Sequence, residues 1–410
     1  MATSTGVRAQ NCRPISKLCF ISGMNVADLF PPSGQVQRIY CDSCASHLDL
    51  SFTDFDDDVS GVHITLSGLP VLICPSCSSN YWPDRSRFAV IEIHRRAIAQ
   101  KSNRVTVKRN KTGRDFGFTK VPFLYDSDDY SYIPGLSREF DEGFLTPVFF
   151  NKEVLLKYDV HPSYRVTFAS RTYGSIRQGD DFDIPFGINR HDRLVMWLGD
   201  ISRLPESEQF YLRSENVPSD HSIGSEFYDG QIECKFTDRT PEDQLFEQRS
   251  EFLEACFSRF AQKLAHLEKE VLDLAIAIRR PVVDTPVERR KIADALNKVY
   301  LESLDNKALE KILGTLGQDA AKLGSLKRLQ KLAEVVAPLE DIATTMSPLY
   351  VLYDLRVAYS HLGSEDGQDE KLRLVRERLG LANDADLFAI YDALVPALRG
   401  AFAKLAAVFK

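Results

Sequence analysis

Four cysteines offer the clearest chemistry in this chain. Cys41 and Cys44 form one Cys-x-x-Cys pair, Cys74 and Cys77 form a second, and twenty-nine residues separate the two pairs. Each such turn presents two sulfurs toward one point, so the pairs together predict a tetrahedral site for one zinc ion per chain. All four ligands are protein thiols, which leaves no open position for water or substrate, and the expected metal is structural and not catalytic. The long separation leaves room for a hairpin between the two knuckles. Cys12, Cys19, Cys234 and Cys256 are scattered and read as ordinary thiols of a reducing compartment. The plain alternative is that the four are two unrelated surface pairs.

A second candidate lies near the C-terminus. The run Ser347 to Gly363 reads as an apolar helix that ends with Arg356, four further residues, His361 and a glycine stop. Arg87…His94 and Arg259…His266 also place an arginine and a histidine with six residues between them, but the first pair lies beside the cysteine module and the second inside a long helical stretch. Only Arg356 and His361 close a helix of a bundle. This segment is similar to the Rx4-6H helix of HEPN-domain ribonucleases. The resemblance implies an endoribonuclease that needs no metal: Arg356 holds the scissile phosphate, His361 moves the proton, and a ribose 2′-OH is the nucleophile. The position after the arginine is often polar in active members, and here it is Val357. Five residues of ideal helix turn by about 500°, which leaves Arg356 and His361 about 140° apart. The family's arrangement therefore implies a homodimer that apposes two copies of the helix. The plain reading is that Arg356 caps carbonyls or pairs with Asp354 or Glu365, and that His361 merely ends a helix.

These sites need elements to position them, and the pattern predicts a multidomain α+β chain. Residues 1–36 carry breakers at Pro14 and Pro31-Pro32 and read as a loose leader; 37–97 form the zinc ribbon; 98–125 form a basic connector. Residues 126–240 read as a β-rich middle domain with strands near Phe144–Phe150, Tyr164–Ala169, Asp183–Ile188, Leu194–Ile201 and Gln231–Phe236. From 241 to 410 the chain reads as an all-α bundle. Leu253 to Ile278 recur at helical spacing, Thr285-Pro286 and Ser347-Pro348 look like helix starts, and Pro396 should kink the last helix. Acidic Asp126, Asp128 and Asp129 follow the connector, while Asp220-His221 and Glu226 with Asp229 read as turn formers and not as metal ligands.

Tyr40-Cys41-Asp42-Ser43-Cys44 and Gly68-Leu69-Pro70-Val71-Leu72-Ile73-Cys74-Pro75-Ser76-Cys77 resemble the zinc-ribbon half of MqsA/YgiT-type antitoxins over about forty residues. That family's DNA-reading helix-turn-helix has no counterpart here, so the likeness implies a bacterial defence or toxin-antitoxin setting, with an antitoxin or regulatory partner, and not DNA binding. A net charge of −7 argues against a protein that coats nucleic acid over its whole surface. No secretory leader and no run near the roughly twenty apolar residues of a membrane span are evident, so the expected location is cytoplasmic. The competing expectation is a non-catalytic binding module, in which ribbon and connector recognise nucleic acid or protein and the bundle dimerises.

Overall fold

The computed structural model describes residues 23–31, 36–111, 113–235, 239–266, 268–338, 340–360 and 365–410. The chain divides into two compact units, residues 1–167 with 172–237, and residues 168–171 with 238–410. It mixes α and β structure, with two sheets ahead of a helical C-terminal region.

The first sheet is built on a long hairpin. Strands β1 (Asp49–Val59) and β2 (Val62–Ile73) pair antiparallel from Asp49↔Ile73 to Val59↔Val62. Ser60 and Gly61 make the turn with φ of 45° and 84°, the backbone a two-residue hairpin loop requires. Midway, Ser67 and Gly68 of β2 stand opposite Asp54 alone; Gly68 has φ +76°, and its N–H donates to Asp54 Oδ1 at 3.0 Å. This bulge shifts the side-chain alternation by one. Val62, Ile64 and Leu66 before it therefore share a core with Leu69 and Val71 after it. Helix α1 (Asp84–Ala99) covers that face with Val90 and Ala97. On the other edge of β2 lie β3 (Asn80–Tyr81), antiparallel, and β4 (Arg104–Lys108), parallel over His63 to Ser67. A strand thus runs through the expected connector. Its outward Arg104, Thr106 and Lys108 alternate with half-buried Val105 and Val107, a period-2 pattern that the charge run masked.

The second sheet has six strands in the order β10-β5-β9-β8-β7-β6: β5 (Pro147–Asn151), β6 (Arg165–Phe168), β7 (Tyr173–Gln178), β8 (Phe182–Ile188), β9 (Arg193–Trp197) and β10 (Asn216–Val217). Short helices surround it: α2 (Ser127–Tyr132), α3 (Leu155–Val160), α4 (Leu198–Ile201), α5 (Glu206–Ser214) and α6 (Glu226–Gln231). The expected strand Leu194–Ile201 stops at Trp197 and continues as α4. The expected strand from Gln231 is not formed through Lys235, and Phe236 lies outside the described residues. Helix α6 ends at Gln231, where the expected strand would begin, and its Phe227 stacks on Trp197 at 4.7 Å. One core joins Cys41, Leu48, Leu50, Leu72 and Cys74 to Phe149, Trp197, Phe227 and Tyr228.

The second unit consists of α7 (Pro241–Phe260), α8 (Glu268–Ala277), α9 (Pro286–Asn297), α10 (Asn306–Thr315), α11 (Ser325–Val336), α12 (Ile342–Ser360), α13 (Glu365–Arg378) and α14 (Leu387–Phe409). Thr240 and Thr285 cap α7 and α9 by accepting the N–H of Asp243 and Glu288, each with proline at the next position. The long helix expected through Ile278 is broken after Phe260. Ala261 adopts φ +51°, and the following segment bonds to the loop after Glu302, with Asp305 N–H to Leu264 O at 2.8 Å and His266 N–H to Ser303 O at 3.1 Å. Leu264, Val271 and Ile278 nevertheless reach the same core, which is why their spacing imitated one helix. Pro348 lies inside α12 and not at its start, since Asp341 accepts the Thr344 N–H ahead of it. Helix α14 continues through Pro396. No described helix is long and apolar enough to cross a membrane.

Candidate metal centre

The four predicted cysteines converge. Their sulfurs all lie within 4.8 Å of one another, with Cys44 to Cys74 at 3.4 Å, Cys41 to Cys77 at 3.5 Å and Cys44 to Cys77 at 3.8 Å. Zinc–thiolate bonds of about 2.3 Å in tetrahedral geometry place sulfurs about 3.8 Å apart, so the cluster fits such an ion. The two knuckles share one backbone pattern. Cys41 N–H donates to Ser46 O and Ala45 N–H to Cys41 O, both at 2.8 Å; Cys74 N–H donates to Ser79 O at 2.8 Å and Ser78 N–H to Cys74 O at 2.9 Å. The hairpin ends hold the knuckles together, because Asp49 and Ile73 are paired in register. Cys41 and Cys74 are buried, and Cys44 and Cys77 are exposed.

The surroundings favour thiolate on one knuckle more than the other. At Cys41, burial acts to raise the thiol, but the Tyr81 hydroxyl and the N–H groups of Ser43 and Cys44 outweigh it and bring it down to about 6. At Cys74, burial dominates and pushes the thiol up to about 12. Tyr81 lies 3.3 Å from the Cys41 sulfur through its hydroxyl, which also accepts Asp42 N–H at 3.0 Å. Sequence reasoning did not single out Tyr81. It lies in the two-residue strand β3, four residues after Cys77, and gives no spacing signal.

The first knuckle is fastened to α6. His47 Nε2 meets Asp229 Oδ1 at 2.9 Å, the Tyr40 hydroxyl donates to the same oxygen, and the Lys235 ammonium lies 3.6 Å from the Tyr40 ring centre. Burial acts to raise Asp229, and the His47 and Tyr40 hydrogen bonds hold it below the usual carboxylate range. Gly224 permits this approach, since a Cβ there would stand 2.2 Å from that of His47. Glu226 accepts from Thr172 N–H at 2.6 Å, and Asp220 accepts from Asn189 Nδ2 and lies 3.0 Å from His191 Nδ1. Asp220 lies in a loop, whereas Glu226 and Asp229 stand on α6 and not in the turns expected of them.

The acidic patch folds back onto the basic segment. Arg109 pairs with Asp128, Lys111 with Asp126 at 2.6 Å and Arg114 with Glu142 at 2.5 Å, while Arg95 and Arg96 each reach Glu92 at 2.7 Å. Beneath them, fully buried Asp129 meets His221 Nδ1 at 2.7 Å and accepts the Ser219 hydroxyl at 2.6 Å. Burial acts to lower His221, but the Asp129 hydrogen bond and the charges of Asp129 and Asp126 raise it.

In the second unit, Arg356 lies one turn before the end of α12. Its Nε is 3.7 Å from Asp294 Oδ1 and its Nη2 is 3.5 Å from Glu302 Oε1. Asp294 also accepts the Ser360 hydroxyl at 2.7 Å, and Asn297 Nδ2 donates to Glu302 at 2.8 Å. Glu302 closes a π-helical turn, Lys298–Glu302, that directs its carboxylate toward α12. His361 lies outside the described residues, as do Cys12 and Cys19. Comparison of the chain with protein-family models, curated proteins and solved structures finds no match.

Proposed function

We propose that the first unit carries one structural zinc ion and that the helical unit cleaves RNA through Arg356 and His361 of two apposed copies of the chain. The zinc assignment rests on the donor set: four thiols at tetrahedral spacing suit a closed, redox-inert ion. The nuclease reading is carried by Arg356, a partly exposed guanidinium near the end of an apolar helix, steered by two carboxylates. In this reading the guanidinium fork binds the scissile phosphate. The 2′-oxygen attacks phosphorus as the neutral imidazole of His361 from one copy takes the 2′-OH proton, and the imidazolium of His361 from the other copy gives its proton to the departing 5′-oxygen, leaving a 2′,3′-cyclic phosphate. The setting is bacterial defence or a toxin-antitoxin pair. Mixing metal-loaded protein with structured and single-stranded RNA tests it: cleavage lost in both Arg356→Ala and His361→Ala supports the assignment, and wild-type protein that leaves every RNA intact overturns it.

One observation favours a second reading. Asp294 and Glu302 already surround Arg356, as they would around a purely structural arginine. The protein is then a binding module whose bundle only dimerises. Salt-dependent RNA binding without cleavage would identify it.

A further inference from the structure

A box of three tyrosines and one glutamate in the first unit has no part in the metal centre. Lys157 and Tyr158 come from α3, Tyr164 from the loop before β6, and Glu208 and Tyr211 from α5. The rings of Tyr164 and Tyr211 stand nearly perpendicular to that of Tyr158, at 84° and 86°, with centres 5.1 and 5.5 Å away. Hydroxyls fix the walls: Tyr158 and Tyr164 each donate to Glu208 at 2.9 Å, and Tyr211 donates to Val154 O at 3.0 Å. The ammonium of Lys157 sits inside, 4.6 Å from the centre of Tyr211 and 5.4 Å from those of Tyr158 and Tyr164, with the Glu208 oxygens at 2.6 and 2.7 Å.

We propose that this box is a binding site for an N-methylated alkylammonium group, with Lys157 as its resident stand-in and competitor. Three electron-rich faces and a carboxylate around one cation are the chemistry that recognises such groups. Size suits the methylated form at two of the three faces. Carbon packs against carbon at about 3.5–4 Å and a C–N bond takes about 1.5 Å, so the 5.4 Å distances to Tyr158 and Tyr164 leave space for an N-methyl group, while a methylated nitrogen sits farther from Tyr211 and Glu208 than the Lys157 nitrogen does. Exchange is open to the resident cation, because the Lys157 side chain keeps 28 % of its surface exposed while Glu208 keeps 9 %. Lys157 swings on a single flexible stem, and the four box residues stay bonded to one another and to the backbone. The ligand is either a free small cation or a methylated lysine side chain of a peptide; both present the same head.

Calorimetric titration of the full, metal-loaded chain with choline chloride and with a short trimethyl-lysine peptide tests this. Lys157→Gln removes the competing cation from the box and still offers Glu208 an amide donor. It should bind at least one probe about tenfold tighter than wild type, and the probe bound tighter identifies the source. Adding Tyr211→Phe should keep that binding, and adding Tyr211→Leu should remove it. A folded Lys157→Gln protein that binds neither probe overturns the proposal, as does binding that survives Tyr211→Leu. Where Lys157→Gln does not fold, the ring-proton shifts of Tyr211 in wild type decide. A saturable change with either probe but not with sodium chloride supports the site, and no change overturns it.

Discussion

Ala45 and Ser78 occupy the same position in the two knuckles, each directly after the second cysteine of its pair, and both have left-handed backbone, with φ of 59° and 58°. A Cβ in this region costs about 1–2 kcal/mol. Part of that is recovered when glycine's greater freedom in the unfolded chain is counted. Ala45→Gly and Ser78→Gly should therefore each stabilise the metal-loaded protein by about 0.5–1 kcal/mol. Urea unfolding with metal in excess measures this, and a loss of stability in both would show that the strain lies elsewhere.

Metal loading should depend steeply on pH. The ligands bind as thiolates, and Cys74, held up to about 12 by burial, must release its proton when the ion enters, whereas Cys41, at about 6, is mostly ionised at neutral pH. Affinity for zinc should rise from pH 6 to pH 8 with proton release visible in buffers of different ionisation enthalpy. Cys41→Ser should lose the full equivalent of metal. Retention of that equivalent would remove the assignment.

The Asp129–His221 pair makes the first unit sensitive to alkali. His221 is raised above its ordinary value in the fold. Its contribution is present in full below its unfolded pKa of about 6.5 and is lost as pH rises through the raised folded value. Unfolding free energy should fall across that window, and Asp129→Asn should flatten the slope. Asp129→Ala, which leaves the imidazolium without its buried partner, should cost about 3 kcal/mol. The test is a set of denaturant curves at several pH values.

Glu302 competes with any phosphate for Arg356. Its oxygen lies 3.5 Å from Nη2, so Glu302→Gln removes one negative charge from the site while preserving shape and the Asn297 contact. If the helical unit binds RNA there, this substitution should tighten binding by up to several-fold, since solvent-exposed charge pairs are worth about 0.2–1 kcal/mol. Fluorescence anisotropy with a short labelled RNA measures it. Unchanged affinity would mean that Arg356 does not face bound RNA.

The cysteines were legible because their chemistry depends on spacing, and spacing is in the sequence. The helical third was legible for the same reason, through the Thr285 cap and the apolar periodicity. Its errors came from longer-range forces: the chain turns at Ala261 to pair with the segment around Ser303, a contact some forty residues away that no local pattern announces. The basic segment misled for a related reason. Its charges are local, but the acids that neutralise Arg109 and Lys111 arrive only when α2 packs back on it. The tyrosine box was invisible because Tyr164 and Tyr211 are brought to Tyr158 by tertiary packing alone.

The pairing of Asp49 with Ile73 would give a metal held by the four cysteines a task besides holding two loops. Both knuckles grow from the open end of one hairpin, so their separation reports how the strands are aligned. A slip by one residue moves one knuckle by about 3.3 Å and turns the wrong side chains inward. A slip by two keeps the right faces but leaves the sulfurs too far apart to share an ion. An ion bound there would therefore proofread strand alignment: of the registers that bury the same side chains, only one brings the four sulfurs within reach of a single metal.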